Sequence, residues 1–133
     1  MLHNVPKYIQ HRLRWYYYGK KQKNTTLLQT SFELFTEKGF TKTTISDIVN
    51  RAGLAKGTFY LYFKDKYDLR DKLVTYKTSQ LFGNAHTALI EQNIQGFENQ
   101  MFFVIDHIID RLEKEPKLLQ FISKNLSWGI FKN

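Results

Sequence analysis

Apolar residues recur along most of this chain with a helical period. Leu28, Phe32 and Phe35 fall at i, i+4 and i+7, with Leu27, Ser31 and Leu34 widening the same face. The pattern opens at Thr25, a candidate N-cap, and closes at Lys38-Gly39, where glycine suits the left-handed position after a helix end and Phe40 can fold back on the last turn. A first helix is expected over about 25–38. Thr44 and Asp47 have the spacing of a capping box, and Ile45, Ile48, Val49 and Ala52 continue the period until Gly53. A short segment follows, in which Phe59 and Phe63 stand one turn apart on one side and Lys56, Thr58, Tyr60 and Tyr62 on the other. Asp65 and Asp68 repeat the capping spacing ahead of Leu69 and Leu73. A fourth helix therefore starts near Lys66, with Gly83 as a candidate break.

The remaining pattern is helical too. Phe97, Met101, Val104, Ile105, Ile108, Ile109 and Leu112 mark a helix over 96–114, and Pro116 fits the first turn of the next. Leu118, Leu119, Ile122 and Leu126 form its expected apolar face. The fold class is all-α. The expected divisions are an arm over 1–24, a compact helical unit over 25–73 and a further helical region over 74–133.

Composition narrows the chemistry. The 133 residues include no cysteine, which removes disulfides and thiolate metal sites and fits a reducing cytoplasm. No apolar run approaches the ~20 residues of a membrane helix, and no signal peptide is legible. The net charge is +8, and it is unevenly spread. Residues 1–24 carry Lys7, Arg12, Arg14, Lys20, Lys21 and Lys23 and no acid, whereas 25–133 hold 14 basic and 12 acidic groups. Such an arm binds polyanions by counterion release or is simply a solvated tail. Trp15, Tyr16, Tyr17 and Tyr18 in its midst suit nucleic acid, a membrane surface or packing on the body, and the residues alone do not choose.

No paired carboxylates, metal cluster or nucleophile with a base stands out, so no enzyme and no cofactor is expected. His107 and Asp110 share a helix face, with Asp106 nearby, but lack a second cluster to complete a metal site. Phe97, Phe102, Phe103, Phe121 and Trp128 could line an effector pocket or simply pack a core. What remains is the pair of short helices joined at Gly53. That arrangement suits a helix-turn-helix, whose first helix braces the DNA backbone while the second enters the major groove. Gly57, without a Cβ, would let backbone approach a phosphate, and Lys66 beside the free N–H groups of the next helix would make an anion site.

The run Ile45-Ser46-Asp47-Ile48-Val49-Asn50-Arg51-Ala52-Gly53-Leu54-Ala55-Lys56-Gly57-Thr58-Phe59-Tyr60-Leu61-Tyr62-Phe63-Lys64-Asp65-Lys66 resembles the DNA-binding region of TetR-family regulators, as do Leu34-Phe35 and Lys38-Gly39-Phe40. The resemblance covers about 25–73. One departure is Ala55, where that family often has serine. The resemblance implies a repressor that binds double-stranded operator DNA, acts as a homodimer and is released by a small-molecule effector. The DNA-contacting residues it implies, together with the spacing above, are Thr25, Thr44, Lys56, Gly57, Thr58, Tyr60, Tyr62 and Lys66. Members of that family are usually longer and pair through two long C-terminal helices that are not legible here. Residues 74–133 are accordingly expected to be part of a regulatory domain. The alternative is a polyanion- or membrane-surface-binding protein without sequence preference, driven by residues 1–24.

Overall fold

The computed structural model describes residues 6–131, with side chains as far as Asn125. Six helices succeed one another: α1 (Lys7–Lys38), α2 (Ile45–Ala52), α3 (Lys56–Tyr62), α4 (Lys66–Glu91), α5 (Phe97–Lys114) and α6 (Pro116–Phe131). There is no strand among the described residues. The chain divides into two compact units, residues 1–69 and 70–133, and passes from one to the other within α4.

The first unit departs from expectation at its start. Its first helix begins at Lys7, not near Thr25, so the basic stretch is the first half of α1 and no separate arm within the described residues. Thr25 lies inside that helix and caps nothing. The physical reason is plain in the residues: between Pro6 and Lys38 there is no proline, and lysine, arginine, glutamine and leucine are good helix formers. A helix exposed on all sides has no apolar stripe to announce it. Tyr8, Trp15, Tyr16, Tyr17 and Tyr18 are all exposed.

From Leu27 onward α1 buries one face. Leu27, Leu28, Leu34 and Phe35 join Ile48, Val49, Phe59, Phe63 and Leu69 in the core of the first unit. Two fully buried hydroxyls sit among them. Ser31 Oγ donates to the Leu27 carbonyl at 2.6 Å and Thr43 Oγ1 to that of Gly39 at 2.7 Å, which offsets their desolvation. Gly39 ends α1 with φ 87° and ψ 157°, a conformation closed to L side chains but not the left-handed helical one expected. Phe40 does fold back, its ring 5.2 Å from that of Phe35.

The caps expected of α2 and α4 are present. The Thr44 hydroxyl accepts from the Asp47 N–H at 3.0 Å, and the Asp47 carboxylate accepts from the Thr44 N–H at 2.9 Å. Lys38 Nζ lies 2.7 Å from the same carboxylate, and Arg51 bridges to both carboxylate oxygens of Glu37, so two ion pairs tie α2 to α1. Gly53 takes φ 71° and ψ 32°. Its N–H bonds back to Asn50, and that of Leu54 bonds to Val49 at 2.9 Å, which closes α2 in a Schellman turn. Asp65 Oδ1 accepts from the Asp68 N–H, and the Asp68 carboxylate from the Lys64 N–H, both at 2.8 Å, which starts α4 at Lys66 as expected.

In the second unit α4 runs through Gly83, so that glycine is no break. Pro116 opens α6. Leu118, Phe121 and Ile122 are buried, but Leu119, expected on the same face, is 43% exposed, while Leu126 lies outside the described side chains. α5 buries no residue. Phe97, Met101, Ile105 and Ile109 stand exposed at one-turn intervals. Of the aromatic set offered for an effector pocket, Phe97 and Phe102 are exposed, Phe103 is half-buried, Phe121 is buried, and Trp128 lies outside the described side chains.

Candidate nucleic-acid interface

α3 is a short helix with one buried side. Phe59 is fully buried and Phe63, 2% exposed, follows it at a ring distance of 5.5 Å, so both rings anchor the helix in the core. On the other side Lys56, Gly57, Tyr60 and Leu61 are exposed, and Thr58 and Tyr62 are half-buried. Ala55 stands at the N-cap with extended backbone and no side-chain bond. A Cβ placed on Gly57 would meet no atom within 4 Å beyond its own helix. Neither φ nor packing in this chain requires a glycine there. The α2–turn–α3 unit thus presents a lysine, a bare backbone position, a hydroxyl and two phenols along one outward side, with no acid between Arg51 and Lys64.

The other expected contact residues are placed differently. Thr44 is exposed at the head of α2, with its hydroxyl committed to the capping box. Thr25 is half-buried in α1 and lines a hollow of about 520 Å³ with Tyr18, Lys21 and Gln22. Lys66 is half-buried, and its ammonium donates to the Phe40 carbonyl at 2.8 Å and the Thr43 carbonyl at 3.0 Å while sitting 4.3 Å above the Phe40 ring. The charge expected to await a phosphate is thus already engaged in holding the loop before α2 against the start of α4. Lys42 and Lys64 are exposed.

One titration bears on this frame. The Asp47 carboxylate is held well below its ordinary value of 3.8, at about 2, by the Lys38 hydrogen bond first and the Thr44 backbone and side-chain bonds next. α2 is therefore capped by an anion that stays charged into strong acid.

Residues of the basic, aromatic stretch, offered from the sequence without a partner within the fold, flank α3. Trp15, Tyr16, Gly19, Lys20 and Lys23 of α1 face Leu61 and Tyr62 across a cleft of about 430 Å³. A pattern could have found it, since Tyr16, Lys20 and Lys23 continue toward the N-terminus the spacing of buried Leu27, Ser31 and Leu34. Among the described residues no three His, Cys, Asp or Glu side chains group as metal ligands, and His107 stacks on Phe103 instead. No helix among them is long and apolar enough to cross a membrane.

Comparison with known proteins agrees with this geometry. The family described as bacterial regulatory proteins, tetR family, matches residues 27–73. The uncharacterized HTH-type transcriptional regulator YvdT of Bacillus subtilis (strain 168) is 44% identical over 72 residues, which are 51% of this chain and 36% of that protein. The HTH-type transcriptional repressor KstR2 of Rhodococcus jostii (strain RHA1) is 35% identical over 65 residues, 49% of this chain and 32% of the relative. A transcriptional regulator (TerR/AcrR family) from Aquifex aeolicus VF5, known in crystal structure, aligns at a TM-score of 0.55 with 29% identity, covering 75% of this chain and 53% of its own. The chain thus spans about a third of the length of these two curated relatives. The helix-turn-helix geometry and these matches fall in one place: α2, the turn at Gly53 and α3 lie within residues 27–73, the segment that is similar to bacterial regulatory proteins of the tetR family.

Proposed function

We propose that this protein is a sequence-specific regulator of transcription that binds double-stranded operator DNA through α3. The observation that carries this reading is α3 itself. Phe59 within it and Phe63 at its C-cap are buried, and its opposite side offers Lys56, Gly57, Thr58, Tyr60 and Tyr62 to a partner. A helix of seven residues, about 10 Å long, is a suitable probe for a major groove about 12 Å wide. Tyr60, Tyr62 and Thr58 can hydrogen-bond base edges or phosphates, and Lys56 adds charge. Thr44 and Thr25 are proposed backbone contacts at the heads of α2 and of the core part of α1. Lys66 is proposed to act at the interface mainly by fixing the loop that carries Thr43 and Thr44.

The wider role follows the family. A homodimer, repression, release by a small-molecule effector and a cytoplasmic site of action are proposed for the whole protein, without a catalytic step. The KstR2 relative is named a repressor, which supports that direction of control. A test is competition binding by fluorescence anisotropy, with a duplex chosen by the protein from a random pool set against random duplex of equal length. Preference by a factor of about 10³ or more is expected of a specific regulator. Equal affinity would leave only the polyanion-binding alternative.

A further inference from the structure

We propose that the first half of α1 is a second DNA-binding element, which seats one sugar-phosphate strand of the duplex in the cleft it shares with α3. The inference rests on the DNA-binding role of α3 and adds a partner surface that the helix-turn-helix does not include. Residues 7–24 are helical, span about 27 Å at 1.5 Å per residue and hold six exposed cations without one acid. At 3.4 Å per base pair that length matches roughly eight base pairs of a duplex.

The cleft gives this charge a direction. Lys20 and Lys23 lie one turn apart on its α1 wall, Trp15 and Tyr16 extend that wall, and Tyr62 and Leu61 of the proposed recognition helix form the other. Gly19 opens its floor. That glycine sits in mid-helix, where it is disfavoured by about 1 kcal/mol against alanine. A Cβ there would meet no atom within 4 Å beyond its own helix. Space, two cations and aromatic edges suit a phosphodiester flanked by sugars. A lipid surface fits less well. Trp15, Tyr16, Tyr17 and Tyr18 are consecutive, so they point to all sides of the helix, and the cations do likewise, whereas a membrane-surface helix separates an apolar from a basic face.

The test is a salt titration on the full chain with two probes, the duplex it selects from a random pool and a random duplex. Removing Lys20 and Lys23 together (K20A/K23A) should lower the slope of log K against log salt by about two on both probes and keep their affinity ratio. The same charge removed elsewhere (K117A/K124A) should change the slope much less, because Lys117 and Lys124 are exposed on α6, in the unit that does not carry the cleft. Gly19→Leu, which fills the cleft without altering charge, should weaken both probes at least tenfold while circular dichroism shows undiminished helix. An unchanged slope in K20A/K23A, equal effects of the two pairs, or wild-type affinity in Gly19→Leu overturns the inference and leaves α3 as the DNA-binding helix. If the wild-type chain selects no duplex at all, the reading of α3 fails and this one with it.

Discussion

Gly57→Ala separates a role in folding from a role at the interface, because the two predict opposite signs. Gly57 is exposed in α3, its φ is not positive, and an added methyl would touch nothing beyond its own helix. Alanine is favoured over glycine inside a helix by up to about 1 kcal/mol, and roughly half of that applies in the first turn of so short a helix. The variant should therefore be more stable, by about 0.5 kcal/mol. For a domain of this size that is a rise of a few degrees in Tm. If a phosphate approaches the backbone at Gly57, the same methyl stands between them. A lost or lengthened charge-assisted hydrogen bond costs about 1.5–3 kcal/mol, so affinity should fall at least tenfold. Calorimetric melting and anisotropy titration against the selected duplex read the two effects on one preparation. A rise in Tm with unchanged affinity would remove Gly57 from the interface. A fall in Tm would show that the glycine serves the fold.

Three further outcomes follow from the geometry. Tyr60→Phe should keep the melting temperature and cost DNA affinity about 0.5–1.5 kcal/mol, one neutral hydrogen bond, with wild-type affinity removing Tyr60 from the readout. Lys66→Ala should lower stability by about 1–3 kcal/mol, since two carbonyls lose a charged donor, and a variant that melts normally yet binds DNA with a salt slope lower by about one would assign Lys66 to a phosphate instead. Asp47 has a depressed folded-state pKa, so its stabilising contribution is complete above 3.8 and lost as pH falls through about 2. Asp47→Asn should flatten the dependence of thermal stability on pH in that window, and a variant that follows wild type there would contradict the capping role.

What was legible in the residues was what local interactions determine. Thr44 with Asp47, Asp65 with Asp68, and Gly53 act within three or four positions of themselves, and the structure shows each in place. Phe59 and Phe63 were readable as anchors because their spacing matches one helical turn. The first half of α1 was harder to read, since its large apolar side chains are mostly exposed and the spacing of Tyr16, Lys20 and Lys23 is carried by polar residues that form no apolar stripe. Lys66 illustrates a different limit. Its carbonyl partners stand 26 and 23 positions earlier, and no spacing rule joins them. In α5 the apolar period correctly indicated a helix, but a stripe such as Phe97, Met101, Ile105 and Ile109 does not name what covers it, and these side chains are exposed. The cleft between α1 and α3 depended on the missing half-helix and was therefore missed with it.

The central claim is that α3 reads DNA sequence. Its most direct test is selection from a random duplex pool, run in parallel with the wild-type chain and with a variant carrying Lys56→Ala, Thr58→Ala and Tyr60→Ala. These three side chains are on the outward side of α3 and none is buried in the core, so the variant should retain the wild-type fold by circular dichroism. The account predicts that the wild type enriches one common motif and that the variant loses or changes it. Enrichment of the same motif by both proteins, or of none by the wild type, would contradict it.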